Sequence, residues 1–103
     1  MTPVELPAPS AALVLHMAAA RIRATAEQAL TAMKSSSYWD VGWPAGVTDA
    51  IGGPEGELAA LLPPQVAVAL ADWLAEQASA HTLTGATIPH PAVVIAAATR
   101  PNP

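Results

Sequence analysis

The sequence predicts an all-α protein, a small helical bundle of three to four helices with a tryptophan-containing loop or short extended segment between helix 1 and helix 2. Two observations support this fold class. Stretches of strong helix formers, rich in alanine, alternate with clusters of proline and glycine that end them. Only residues 38–44 have strand-like character, and a single strand makes no sheet.

At 103 residues the chain has the length of one domain with a single hydrophobic core. Residues 1–9 carry three prolines and are predicted to form a flexible arm, residues 10–100 the helical domain, and residues 101–103 a tail. Hydrophobic residues make up 52% of the chain, but much of that share is alanine and only four residues are aromatic. Because such a core is thin, we expect a partner subunit to complete it, and predict a homo-oligomer.

The first helix is predicted to begin after Ser10, a residue suited to the N-cap, and to continue from Ala11 to about Lys34. Small and apolar side chains recur along this helix at alternating spacings of four and three residues, which produces a narrow stripe. The stripe either faces the core of its own chain or forms a seam with another copy, and the pattern leaves both open. Its members are Leu15, Ala19, Ile22, Ala26, Ala29 and Met33.

Three of the four aromatic residues, Tyr38, Trp39 and Trp43, lie within six positions directly after the serine run that ends helix 1. Such a cluster either plugs the open end of a small bundle or forms a recognition surface, because tryptophan and tyrosine are favoured anchors in binding hot spots. Residues 46–56 contain four glycines and are predicted to form a loop with a short helical turn at Val47–Ile51.

Three further helical stretches complete the predicted bundle. The first opens at residues 54–57 with carboxylates in its first turn and continues through Leu62. Residues 65–80 form the next, started by two prolines and carrying Trp73 on its core-facing side. Residues 92–99 form a last helix that has no polar side and is therefore expected to be buried, against its own bundle or against a neighbouring subunit.

Charge and hydropathy exclude two classes of partner. The chain has only four basic residues against eight acidic ones, too few and too scattered to neutralise a phosphate backbone, so we predict no nucleic-acid partner. The longest apolar stretch, Ala11–Ala20, is shorter than the ~20 residues of a membrane span, and no basic residue precedes it. We therefore predict a cytoplasmic protein without membrane association, which the absence of cysteine also fits.

The sequence contains no catalytic constellation, and the chain is predicted not to be an enzyme. None of His16, His81 and His90 has a partner at metal-ligand spacing, so we predict no metal and no cofactor; His16 is expected to be partly buried, and the other two to lie at helix ends. No serine lies in a G-x-S-x-G turn. Asp40 and Asp49 flank the aromatic segment and either line a cleft with the tryptophans or are solvated turn residues.

Four landmarks along two thirds of the chain carry a family resemblance: Trp39, the stretch Glu57–Leu62 with its two following prolines, the run Ala69–Leu74 (ALADWL), and His90-Pro91-Ala92. Together they resemble a group of small proteins of actinobacteria and their phages that is similar to Ead-type phage accessory proteins. The resemblance implies a setting, an accessory gene of an actinobacterial phage or mobile element whose product acts on host machinery.

The sequence thus favours a non-enzymatic accessory protein that binds a host or phage protein. Its predicted working surface is the aromatic loop with the glycine-rich segment after it. The alternative is a helical oligomer that binds or sequesters a nucleotide signal, with Arg21, Arg23 and Lys34 gathered from several subunits to meet the phosphates. The residues predicted to bind are Tyr38, Trp39, Asp40, Trp43, Asp49, Arg21 and Arg23.

Overall fold

The structure, a computed structural model, describes residues 10–100, so the predicted arm and tail lie outside the described residues. Within residues 10–100 every regular element is helical and no strand occurs, which confirms the predicted fold class. The elements are α1 (Ala11–Ser35), a 3-10 helix (Ser37–Val41), α2 (Trp43–Ile51), α3 (Gly53–Ala60), α4 (Pro64–Thr84) and α5 (His90–Ala98).

Helix α1 begins and ends close to where the sequence predicts. The Ser10 hydroxyl accepts a hydrogen bond from the Leu13 N–H at 3.1 Å, which satisfies one of the free donors of the first turn. At the other end Ser36 leaves the helical region with a ψ of 129°, one residue later than predicted. The resulting 25-residue helix is about 37 Å long and is the element on which the others pack.

The predicted stripe of α1 packs against α4 of the same chain, so it faces the core. Ala26 and Ala29 lie near Pro64 and Ala67 at the start of α4, while the other end of α1 meets the far end of α4, which makes the pair antiparallel. Of the eleven buried hydrophobic residues among those described, eight are alanine, and Leu74 is the largest fully buried side chain. Within one chain the stripe is thus used for the contact with α4.

Helix α5 lies along the first half of α1, with its start near Ala11 and its end near Arg21. Ala92 and Ala96 enter the core shared by α1 and α4. Within one chain the predicted burial of this helix is only partial, because Val93 and Val94 on its other side are about half exposed. With only nine residues, α5 spans about 13 Å and leaves the second half of the α1–α4 pair uncovered.

The segment expected to be a loop or extended is helical instead. The 3-10 helix replaces the extended piece. Helix α2 contains the predicted helical turn at Val47–Ile51 but begins earlier, at Trp43, and α3 corresponds to the helical stretch predicted from residue 54. The described residues thus contain five α-helices where three to four are predicted. Prolines in the first turns of α2 and α3 suit helix starts. Gly52 and Gly53 have φ of 73° and 62°, a left-handed conformation that lets α3 follow α2 directly.

No single helix among the described residues has the length and apolar composition to span a membrane. Helices α3 and α4 taken together reach that length and composition, but they are bent by 63° at the break between them. The molecule measures 59 × 34 × 27 Å, and its Cα radius of gyration of 17.2 Å exceeds the ~13 Å typical of a compact chain of about this length.

Because Leu74 is the largest side chain that the core buries completely, Leu74→Ala should lower the free energy of unfolding by about 2–5 kcal/mol. Chemical denaturation followed by far-UV circular dichroism measures this change. The matched control is Leu83→Ala in the same helix, where the side chain is 81% exposed, and its effect should stay within about 0.5 kcal/mol. Equal losses for the two variants would contradict the placement of the core.

Candidate functional site

The aromatic residues after α1 form one packed cluster. The Trp39 and Trp43 rings are stacked, with centroids 5.2 Å apart and planes within 14°. Tyr38 meets Trp39 edge-on at 5.0 Å, and its hydroxyl donates a hydrogen bond to the Gly46 carbonyl at 2.6 Å. These contacts fasten the 3-10 helix to α2, so the cluster organises residues 37–62 from within.

Gly46 belongs to this cluster because its lack of a side chain leaves room for the Trp39 ring. A Cβ atom at this position would lie 2.6 Å from the Trp39 ring, closer than real Cβ contacts occur, so the indole rests on bare backbone. Sequence analysis assigns Gly46 to a loop and misses this role. A signal exists in the pattern, since a glycine within a helix costs about 1 kcal/mol relative to alanine and calls for a packing reason.

Trp43 joins the start of α2 to the end of α3. Its indole N–H donates a hydrogen bond to the Ala59 carbonyl at 3.0 Å, across the α2–α3 corner. Trp39 and Trp43 are both only partly exposed, whereas the Tyr38 side chain is 47% exposed. The tryptophans therefore act as internal supports for this part of the chain, and tyrosine presents more of its surface to solvent.

The two predicted arginines face different environments. Arg23 pairs with Asp72 of α4, and the hydrogen bond to this carboxylate, reinforced by its charge, raises the pKa of Arg23 above its ordinary value. Arg21 lies on another side of α1 and lines a groove together with Trp43. Asp40 and Asp49 are exposed, and no carboxylate lines the groove beside Trp43. The predicted set is thus divided among separate surfaces.

The groove lies where α5 ends and the α1–α4 pair is uncovered. It encloses about 550 Å³ between α1, the start of α4, the last residues of α5 and the Trp43 ring. Its walls are mainly apolar, and two arginines, Arg21 and Arg100, are the charged residues that line it. Sequence analysis counts Arg100 as a scattered cation, because only the fold brings the end of α5 beside Arg21. The apolar lining includes Ile22, Ala26, Ala29, Leu62 and Ala67.

Residues 37–62, the unit formed by the 3-10 helix, α2 and α3, carry a second surface feature. Val47 is the one large aliphatic side chain that this unit buries, alongside Gly46 and Gly56. Six of the twelve exposed large hydrophobic side chains among the described residues belong to the unit. They are Tyr38, Val41, Ile51, Leu58, Leu61 and Leu62.

The histidines do not assemble into a site. His16 is exposed on α1, so its predicted partial burial is wrong: the alanine-lined contact with α4 uses the neighbouring face. His81 lies in the last turn of α4, where its Nδ1 is 2.8 Å from the Ala86 carbonyl, and His90 is the first residue of α5. The described part of the chain contains no group of three or more metal-ligating side chains.

Comparison of the chain with protein-family models, with curated proteins and with solved structures finds no match.

Because Gly46 contacts Trp39, we expect Gly46→Ala to change the free energy of unfolding in opposite directions in the wild-type protein and in the Trp39→Ala variant of a double-mutant cycle. Gly46→Ala alone should destabilise the protein by about 1–3 kcal/mol, because the new methyl group meets the indole ring. In the Trp39→Ala background the same change should stabilise it by up to about 1 kcal/mol, since alanine is the better helix former. Denaturant titrations of the four proteins measure the cycle, and equal losses in both backgrounds would contradict the proposed contact.

Proposed function

We propose that this chain is a non-enzymatic interaction protein that binds another protein through the apolar surface of residues 37–62. One observation carries the proposal. This unit buries a single large aliphatic side chain, Val47, and leaves six large hydrophobic side chains exposed. Burial of apolar surface contributes about 25 cal/mol per Å², so a protein partner that covers these side chains gains most of its affinity from them.

The aromatic cluster stabilises the backbone that carries this apolar surface. Stacking and hydrogen bonds hold Trp39 and Trp43 against α2 and α3, which fixes the backbone that carries the exposed leucines. A rigid apolar surface loses little conformational entropy when a partner binds. Within the predicted binding set, Tyr38 is thus the contact residue, and the two tryptophans position the elements around it.

The resemblance to phage accessory proteins supplies the class of partner, a host or phage protein met in the cytoplasm. A second copy of the chain is also proposed as a neighbour, because the core is thin and large side chains remain exposed. Since the alanine stripe of α1 is used within the chain, the homo-oligomer requires another face. We assign that contact to the end of α3 and the start of α4, where Leu61 is 73% exposed, which leaves Tyr38, Val41 and Ile51 of residues 37–62 for the host or phage protein.

The small-molecule alternative is better supported by a different set of residues from the one predicted from the sequence. Gathering Arg21, Arg23 and Lys34 from several subunits would require Arg23 to leave Asp72, its partner across α1 and α4. The groove instead offers Arg21 together with Arg100 within one chain. A small ligand is therefore better argued from the groove than from an interface between subunits.

The proposed oligomer makes a direct prediction. Native mass spectrometry and light scattering should find the wild-type protein as a defined oligomer, and Leu61→Glu should convert it to a monomer with an unchanged circular dichroism spectrum. The reason is that a buried carboxylate without a partner is costly at an apolar contact. Leu83→Glu introduces the same charge at an exposed position of α4 and should leave the oligomer intact. A monomeric wild-type protein, or equal effects of both variants, would refute the assigned contact.

A further inference from the structure

Two of the four basic residues of the chain line the same groove, in a protein whose formal net charge is −4. Arg21 reaches the groove from α1, and Arg100 reaches it from the residues that follow α5. Asp72 of α4 pairs with Arg23, which does not line the groove. No acidic side chain lines this groove. A neighbouring pocket of about 680 Å³ shares both arginines and is also free of acidic side chains, but no aromatic ring lines it, whereas Trp43 lines the groove.

We propose that the groove binds a small molecule composed of a flat ring system and an anionic group, either a phosphate monoester or a carboxylate. The ring lies over Ile22 and Ala26 beside the Trp43 indole, and the anionic group lies between Arg21 and Arg100. Guanidinium groups match both anions because their N–H donors form a planar fork. This site is inferred without recourse to the protein-binding surface proposed above, although Leu62 belongs to both.

The size of the groove favours one small ligand over a peptide segment. Its volume of about 550 Å³ falls within the ~300–1,000 Å³ of small-molecule sites. A protein partner needs about 800 Å² on each side, far more than a groove bounded by the nine-residue α5 and the Trp43 ring presents. One flat ring system with one anionic group suits both the apolar lining and the two arginines.

The two arginines are the donors that the site offers to the anion. Thr25 and Thr99 also line the groove, but each hydroxyl donates to a carbonyl of its own helix, Thr25 to Arg21 at 2.9 Å and Thr99 to Ile95 at 3.0 Å. Their protons are therefore not available to a ligand. Affinity should depend on the guanidinium groups, which makes the proposal testable by single substitutions.

The test is an NMR titration of the ¹⁵N-labelled protein with 1-naphthyl phosphate, which has both the ring and the anionic group. We expect saturable shifts of amides around the groove, including Ala26, Ala29 and Ala67. Neither 1-naphthol, which lacks the charge, nor inorganic phosphate, which lacks the ring, should produce these shifts at equal concentration. Parallel titrations with AMP and 2-naphthoate separate nucleotides and aryl carboxylates from simple aryl phosphates as members of the ligand class.

Three variants with the same loss of charge complete the experiment. Arg21→Gln and Arg100→Gln should each weaken binding of 1-naphthyl phosphate at least fivefold, whereas Arg23→Gln, off the groove and paired with Asp72, should leave it within twofold. Equal weakening by all three variants would show a general field effect and overturn the site. Shifts centred on Leu58 and Leu61, equal shifts with 1-naphthol, or no saturable shift would overturn it as well.

Discussion

Alanine at the contact between α1 and α4 determines how the rest of the molecule is arranged. Small side chains let two helices pack closely, and the distance between helix axes depends on the residues at the contact. Eight of the eleven buried hydrophobic residues among those described are alanine, so Leu15 and Leu74 are the only leucines that the interior accommodates. A core of this kind fixes the helix pair precisely but leaves little interior space for the larger apolar side chains.

Most of the larger apolar side chains are consequently exposed to solvent, and this holds for two regions of the chain for different reasons. Helix α5 adds only Ala92 and Ala96 to the core and exposes its valines, and its nine residues cover only part of the 25-residue α1. Residues 37–62 have almost no aliphatic core and are held instead by aromatic stacking and by the bond from Trp43 to Ala59. Aromatic rings supply large contact areas that alanine cannot.

The sequence was sufficient where local chemistry decides the structure. The Ser10 cap, the length of α1 and the existence of its apolar stripe follow from hydrogen bonding and helical periodicity, whereas the packing of the stripe against α4 does not. The glycine-rich stretch is predicted only in part, because glycine there serves two purposes: Gly52 makes the turn between helices, while Gly46 accommodates Trp39 within a helix. In the prediction from sequence, Arg21 and Arg23 belong to one set that meets phosphates, although residues two apart on a helix face different sides. The pairing of Arg21 with Arg100 depends on where α5 ends, and no local pattern encodes that.

The two proposed binding surfaces differ in chemistry, but two side chains, Trp43 and Leu62, connect them. Trp43 lines the groove with one part of its ring and bonds to α3 through its indole N–H. Leu62 also lines the groove and belongs to the exposed apolar set of residues 37–62. A ligand that moved either side chain would change the surface offered to a protein partner, and linkage requires the partner to change ligand affinity by the same factor. A ligand that left both side chains in place would produce no coupling, so the position of Trp43 decides whether the surfaces act together or separately.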